Sequence, residues 1–456
     1  MSNLGMLIAI VTIEAISLSA SAQSKKNIFM TRDLQISLVP GVNSNGLNSA
    51  QYFNKWSLNL LAGISGGNTL LEIGGISNAS TFRVTGIQIA GVANVVGTNA
   101  FLVEPDDKLR SRDEEKFMSK FHGLQFAGVI NYVNEGTTGL QLSGMFNATG
   151  TQLKGVQLGG IGNTAGGPTN GVQIAGLYNL SGETMAGVQV SLLVNVTKEF
   201  FSGTQLGLIN KARETGGKNT LPYTKARGLQ FGLINLNRKM NGLQVGLINF
   251  GGRARGVQFG LINFYKQVPS KENVKQGIPI GLINVTSRGP DARIYNTEMF
   301  PWSVEYSTGQ CRNCSAAESQ MPFESRNQVY YHNSLIISSN PFRNLWAFGY
   351  GFERMLFNKE TMMKSPANRT RFITYGVKFR YLYNSNFSNK FNLLSSLNLD
   401  YGKRLGRIYI FGSVTMNHFF FKSPSFDRLP SWSHTINSSE KGSQAFWPGY
   451  GVGLLF

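Results

Sequence analysis

A nine-residue motif recurs along much of this 456-residue chain and constrains the fold more than any other feature. Its consensus is Gly, apolar, Gln, apolar, small, Gly, apolar, any residue and Asn. Full-length copies begin at Gly86, Gly123, Gly139, Gly155, Gly171 and Gly187. Shortened copies, which lack one residue before the second glycine, begin at Gly203, Gly228, Gly242, Gly256 and Gly277. Because copies from Gly123 to Gly187 start 16 residues apart, with turn-forming segments between them, this region is a repeat array.

Each copy alternates with a two-residue period, which is typical of β-strands. One face is apolar or glycine, and the other combines small residues with Gln and Asn. A repeat unit is therefore either one strand of about 10 to 12 residues in an antiparallel sheet, or one coil of a parallel solenoid. Identical residues at a fixed period favour the solenoid, whereas the apolar face favours a barrel wall. If each copy were one straight strand, the loss of one residue would move Asn235 onto the apolar face that carries Leu229. A β-bulge in the longer copies would restore a common register.

The carboxyl-terminal third has a different pattern. From about residue 290 the motif stops, and aromatic residues alternate with polar or small ones over segments that begin near Trp346, Ile373 and Phe391. Segments of about 10 residues with one aromatic-aliphatic face suit tilted membrane strands. The last residues alternate in the same way and end on Phe456. This ending resembles the terminal strand of bacterial outer-membrane barrels.

The amino terminus is typical of an export signal. An apolar stretch over residues 4–18 is followed by Ala20, Ser21 and Ala22, the small-x-small pattern of a signal-peptidase site. We predict cleavage before Gln23, with an uncleaved membrane anchor as the alternative. No later apolar run approaches the length of a membrane helix, so a membrane-crossing chain would use strands.

Taken together, the motif and two segments after the cleavage site, residues 34–41 and 56–63, resemble a known group of sequences. These are mostly uncharacterised bacterial outer-membrane surface-repeat proteins with Gly-x-Gln-x-(x)-Gly-Leu-Ile-Asn repeats. The resemblance implies an all-β protein of the bacterial outer membrane, and it carries over no catalytic residue.

We therefore predict an all-β fold: an antiparallel transmembrane β-barrel of about 20 strands, built partly from 14- to 16-residue repeats. The alternative is a repeat β-solenoid plus a smaller carboxyl-terminal barrel. The predicted organisation is a signal peptide over 1–22, barrel strands over 23–69, the repeat region over 70–290 and aromatic-rich barrel strands over 291–456.

The charge is large but sparse: the formal net charge is +19, although only 15% of residues are charged. Nucleic-acid binding is not expected, because basic residues are not concentrated on helices or among stacking aromatics. Residues 211–275 carry twelve basic and two acidic side chains, a local net charge of +10. They suit contact with outer-membrane lipids, lipopolysaccharide or another anionic envelope polymer, or they are simply solubilising turns. The candidate anion contacts are Arg227, Arg238, Lys239, Arg253 and Arg255.

Little in the chain predicts enzymatic chemistry. Ser65 lies in a Gly-x-Ser-x-Gly pattern, but no helix is predicted to follow it, so a nucleophile elbow is not expected. Cys311 and Cys314 have the spacing of redox and zinc motifs, yet the four histidines are scattered, and a loop disulfide is predicted instead. We expect no catalytic residue, no metal site and no cofactor.

The predicted function is that of a non-enzymatic bacterial outer-membrane β-barrel protein, either a pore or a structural envelope component, inserted by the barrel-assembly machinery. The alternative is a membrane-anchored repeat scaffold for surface binding or adhesion. In the barrel hypothesis, amide side chains of the motif line the lumen. These are Gln88, Gln125, Gln141, Gln157, Gln173, Gln189, Asn94, Asn131, Asn147, Asn163, Asn179 and Asn195.

Overall fold

The computed structural model shows an all-β chain that divides into two compact units, Met1–Leu236 and Asn237–Phe456. It describes residues 30–98, 118–215, 228–252, 256–265, 277–286, 290–312, 329–357, 371–384, 392–422, 429–436 and 442–456. The predicted signal peptide over 1–22 lies outside these residues. Helical structure within them is confined to two short 3-10 helices, Gly46–Gln51 and Pro341–Arg343. No helix in the described ranges is long and apolar enough to span a bilayer.

The first unit consists of short strands that follow one another along the repeats. Their bounds are β1 Met30–Val39, β2 Val42–Asn43, β3 Tyr52–Asn59, β4 Ala62–Ser65, β5 Gly67–Gly74, β6 Ser77–Ser80, β7 Val84–Ala90, β8 Ala93–Val96, β9 Phe121–Ala127, β10 Ile130–Val133, β11 Thr137–Ser143, β12 Phe146–Thr149, β13 Leu153–Gly159, β14 Gly162–Ala165, β15 Thr169–Ala175, β16 Tyr178–Ser181, β17 Met185–Ser191, β18 Val194–Leu206, β19 Ile209–Thr215, β20 Gly228–Phe231 and β21 Ile234–Lys239. The boundary between the units falls within β21.

The second unit has longer strands. Their bounds are β22 Gly242–Gly251, β23 Val257–Tyr265, β24 Ile278–Thr286, β25 Pro290–Thr297, β26 Trp302–Arg312, β27 Val329–Asn340, β28 Leu345–Phe357, β29 Arg371–Asn384, β30 Asn392–Leu405, β31 Ile408–Phe421, β32 His434–Ile436 and β33 Ser443–Leu455.

The repeats form a parallel β-solenoid. In a typical coil, the long strand β11 is followed by Gly144 and Met145, the short strand β12, and a second connection over residues 150–152. Strand β11 pairs in parallel with β9 and β13, and β12 pairs with β10 and β14, with a register shift of 16 residues between neighbouring coils from Phe121 to Leu206. Each motif position therefore lies on the same position of the next coil, which confirms the solenoid alternative for the repeats.

The corner of each coil explains the shortened copies. In the longer copy, the long strand ends at Ser191, and two residues connect it to the short strand; in the shortened copy, the long strand already ends at Leu206, the partner of Val190, and again two residues follow. Asn195 and Asn210 nevertheless remain directly paired in the sheet. The missing residue is therefore the last one of the long strand, directly before the corner, so the Asn side chain keeps its inward orientation and no strand bulge is required at this position.

The structure corrects the prediction of barrel strands over 23–69. Within the described part of this segment, β1 pairs in parallel with β3, and β3 pairs in parallel with β5. These strands are therefore the first coils of the solenoid. The sequence pattern misled because an apolar outer face alternating with a polar inner face is the same in a barrel wall and in these coils.

The second unit contains three further repeat strands and a barrel. Strands β22, β23 and β24 are parallel, and they are not barrel strands. Among the described residues, eight antiparallel strands from β25 to β31 and β33 form the barrel, which closes because β25 pairs with both β26 and β33. Strand β24 lies against the outer wall, where Asn333 donates to the carbonyl of Pro279 and Tyr350 donates to that of Gly281. The predicted barrel of about 20 strands is thus replaced by a smaller one.

Candidate functional site

A column of Gln side chains runs through the interior of the first unit. In each coil the Gln Nε2 donates to the Gln Oε1 of the preceding coil at 2.7–2.8 Å, from Gln230 back to Gln88. Neighbouring hydroxyls complete the pattern: Thr149 Oγ1 donates to Gln141 Oε1 at 3.1 Å. Each Gln amide thus donates to the equivalent amide of the preceding coil, and the buried polar groups of the column are hydrogen-bonded.

A column of Asn side chains runs beside the Gln column. Each Asn Nδ2 donates to the Asn Oδ1 of the following coil at 2.8–3.0 Å, from Asn59 to Asn235. From Asn78 onward it also donates to a backbone carbonyl of that following coil, as Asn147 does to Leu158 at 2.8 Å. The donor direction is opposite to that of the Gln column. The two columns therefore tie every coil to both of its neighbours.

The predicted lumen-lining residues are consequently placed elsewhere. All twelve are fully buried inside the solenoid rather than along a barrel lumen. The reason is that parallel coils bring equivalent amides within hydrogen-bond distance, whereas an antiparallel wall would alternate their direction. The residues concerned are Gln88, Gln125, Gln141, Gln157, Gln173, Gln189, Asn94, Asn131, Asn147, Asn163, Asn179 and Asn195.

Glu72 occupies the Gln position in the first, degenerate copy of the motif. It is fully buried, and its carboxylate accepts from Gln88 Nε2 at 2.7 Å and from Asn59 Nδ2 at 3.3 Å. Burial raises the pKa of Glu72 to about 7, and the hydrogen bonds from Gln88, Asn59 and Ser80 oppose this rise. An acceptor suits this position, because Gln88 directs its amide donor toward this coil.

The barrel interior holds a network of charged side chains from five strands. Arg293 Nη1 lies 2.6 Å from Glu353 Oε2 and 3.4 Å from Glu305 Oε1. It also lies 3.4 Å from Asp400 Oδ2. Lys378 Nζ lies 2.8 Å from Glu305 Oε2 and 3.0 Å from Glu353 Oε1. All five side chains are buried, and each of the two cations lies within ion-pair distance of at least two of the three carboxylates, which offsets the cost of burying these charges.

Apolar side chains fill the barrel interior on both sides of this network. One cluster surrounds Phe419 and Trp447, and a second contains Phe372, Phe411 and Leu455. An eight-stranded barrel is only wide enough for its own inward side chains. The described part of the interior is therefore a packed core.

The outer wall of the barrel has the opposite character. Large apolar side chains such as Phe348, Leu397 and Val414 are exposed on it. Trp302 and Trp346 both pair in register with Ser339, so the two exposed indoles lie at the same level of the wall. Aromatic rows of this kind flank the apolar band of membrane barrels.

The candidate anion contacts are only partly described. Arg238 and Lys239 end strand β21, where Arg238 is exposed and Lys239 is half-buried. Arg227, Arg253 and Arg255 lie outside the described residues. The structure therefore describes two of the five residues, which are adjacent in β21, and anion contact by these residues stays a prediction.

The structure describes Ser65 and Cys311, which belong to the two motifs with potential reactivity. Ser65 is buried in β4, between two strands rather than before a helix, and its Oγ lies 3.1 Å from Ser80 Oγ. The backbone of Cys311 pairs with Tyr330 in the barrel, while Cys314, and with it the predicted disulfide, lies outside the described residues. No group of three or more candidate metal ligands occurs in the described ranges.

The sequence showed which barrel residues share a polar face, including Lys378 and Asp400, but it did not pair them. Ion pairs such as Arg293 with Glu353 join residues 60 positions apart, which alternation within one strand cannot reveal. Charged residues at inward positions of several strands are the signal that such a network exists. No family model, curated protein or solved structure matches the chain, so its fold and its side-chain arrangement carry the functional argument.

Proposed function

We propose that the protein is a non-enzymatic component of the bacterial outer membrane, in which the barrel is an anchor and the solenoid is a scaffold for surface binding. The apolar outer wall supports the membrane assignment, because lipid-facing and inward residues alternate in such barrels. The packed interior around Arg293 and Glu353 carries the choice of an anchor over a pore. The resemblance to surface-repeat proteins and the predicted export signal agree with this location.

Planar-bilayer recording tests the anchor directly. We expect the full chain to insert without stable conductance, because charged and apolar side chains occupy the barrel interior. A general porin in the same bilayers provides the positive control, and flotation with liposomes verifies insertion. Stable open channels that require the full chain would contradict the anchor and restore the pore hypothesis.

Surface binding is tested with anionic envelope polymers. Because Arg238 is exposed and lies next to the half-buried Lys239, we expect the double variant Arg238→Gln, Lys239→Gln to bind liposomes containing lipopolysaccharide less tightly than the unmodified chain. Lys154→Gln, at an exposed position of another coil, is the matched control. Equal binding by all three proteins would remove these two residues from the proposed contact.

A further inference from the structure

The solenoid of the first unit has two chemically different edges. At the corner between long and short strands, outward side chains are aliphatic and exposed; Met145 is 37% and Leu177 is 42% exposed. We call this corner and its neighbouring outward residues the apolar edge. Its exposed members in the described coils include Ile76, Val92, Met145, Leu177, Leu208 and Leu233.

Charged residues avoid the apolar edge. The motif copies that form it between Gly86 and Asn235 contain no Asp, Glu, Lys or Arg. The charges of the repeats lie in or beside the other connection, as Glu135 and Lys154 do. We call that corner, which includes the exposed residues Thr151 and Gln152, the polar edge.

The interior shows the reverse pattern. Buried amides such as Gln141 and Asn147 lie behind the apolar edge, whereas apolar clusters, including that of Phe121 and Val133, lie nearer the polar edge. One half of each coil is thus built like a water-soluble protein, with apolar residues inside. The other half is built like a membrane barrel, with apolar residues outside.

The backbone at the apolar edge is hydrogen-bonded from coil to coil. Gly144 N donates to Ala127 O at 3.2 Å, and Met145 N donates to Val129 O at 3.1 Å. Ile161 N in turn donates to Met145 O at 2.9 Å. A backbone in contact with hydrocarbon must satisfy its polar groups internally, and this corner does so.

The size and shape of the edge argue against a second copy as its partner. The described first unit stacks eleven long-strand positions at about 4.8 Å each, so the edge is about 50 Å long. With a width of about 10 Å, it offers on the order of 500 Å² to each partner. Two such convex edges would bury about 1,000 Å², which is below the usual size of a stable protein interface.

We propose that the apolar edge of the solenoid inserts among the acyl chains of one lipid leaflet while the polar edge remains in water. The outward residues flanking the corner reach about 5–10 Å, the depth of interfacial insertion. The lipid contact therefore belongs to the repeats themselves, in addition to the barrel, and it gives the repeated aliphatic positions a common role.

Site-directed spin labelling in liposomes tests this proposal with the full chain. The background carries Cys311→Ser and Cys314→Ser, and single cysteines replace Met145 on the apolar edge or Thr151 on the polar edge. Leu177→Cys repeats the first measurement two coils later, which covers a failure of one variant to fold. Collision rates with oxygen, which concentrates in lipid, and with a water-soluble nickel chelate are compared at each label.

We expect the oxygen-to-nickel ratio to be several-fold higher at positions 145 and 177 than at 151. Nickel-accessible labels at 145 and 177 would overturn the proposal, because the edge would then lie in water. Labels shielded from both reagents would overturn it in favour of a protein partner. A label at Val414→Cys on the exposed barrel wall distinguishes the lipid-inserted apolar edge from the membrane barrel. A lipid-exposed label at position 145 together with a water-exposed label at position 414 would refute only the membrane barrel.

Discussion

The solenoid and the barrel both enclose polar side chains, but they satisfy them in different ways. The solenoid uses neutral amides such as Gln157, each bonded to the same residue type in the neighbouring coil. The barrel uses opposite charges, such as Arg293 and Glu353, that come from different strands and occur once.

The difference follows from symmetry. A parallel coil brings each residue against its own copy, so a buried position must be able to bond to itself. An amide has both donors and acceptors and meets this condition, whereas a charge would face an identical charge. The antiparallel barrel brings unlike residues together, so opposite charges can pair there. Glu72 obeys the same rule, because its partner in the next coil is the amide of Gln88.

The largest expected loss of stability comes from a glycine substitution in the solenoid, where the backbones of neighbouring coils are in close contact. Gly171 has a φ of +147°, and a Cβ there would lie 1.8 Å from the carbonyl oxygen of Gly155. We expect Gly171→Ala to destabilise the surrounding coils by about 5 kcal/mol or more, because it combines backbone strain with a backbone clash. Hydrogen exchange of the coils measures this loss. Gly136→Ala, where the nearest atom lies 3.5 Å away, is the control, and equal protection in both variants would contradict the packing described.

Removal of one charge tests the barrel half of the comparison. We expect Arg293→Met to lower the unfolding free energy of the barrel in detergent micelles by about 4 kcal/mol, because three carboxylates lose their shared cation. Arg371→Met, at an exposed strand end, is the control. Adding Glu353→Gln to Arg293→Met should restore part of the loss. A double variant no more stable than the single one would contradict charge pairing as the cause.

The pH response tests the one charged position of the columns. The pKa of Glu72 is about 7 in the folded chain against an ordinary value of 4.5 for a glutamate, so the folded state holds the proton more tightly. Stability should therefore fall by about 3 kcal/mol as pH rises between these two values, at about 1.36 kcal/mol per pKa unit. Urea unfolding at about pH 5 and about pH 8 measures this change. Glu72→Gln should remove this dependence, and an unchanged pH profile in that variant would assign it to another group.

Interruption of the Gln column should have a smaller effect. Gln157→Leu leaves Gln141 Oε1 and Gln173 Nε2 without their column partner, and we expect a loss of about 2 kcal/mol after the gain from apolar burial. Urea unfolding monitored by hydrogen exchange of these coils provides the measurement. Gln152→Leu on the exposed polar edge is the matched control, expected within about 0.5 kcal/mol of the unmodified chain. Equal stability of the two variants would show that the column contributes little.

Much of the fold could be predicted from the sequence. Two-residue alternation identified the strands, as in the segments containing Phe348 and Leu397, whose exposed outer positions the structure confirms. The fixed period of Gln and Asn showed that these residues occupy the same position in each repeat unit. The direction of neighbouring strands was left open, because alternation is identical in parallel and antiparallel sheets. This ambiguity also led to the wrong prediction of barrel strands over 23–69.

By itself, the sequence determined which residues share a face and where the repeats end, because both depend on local spacing. Only the tertiary structure decided which polar face meets which partner: Gln157 meets its own copies, whereas Arg293 meets Glu353 across 60 positions. It also decided that the barrel interior is packed and that the apolar residues of the repeats lie along one edge. These features depend on how distant strands are brought together, which local spacing does not encode.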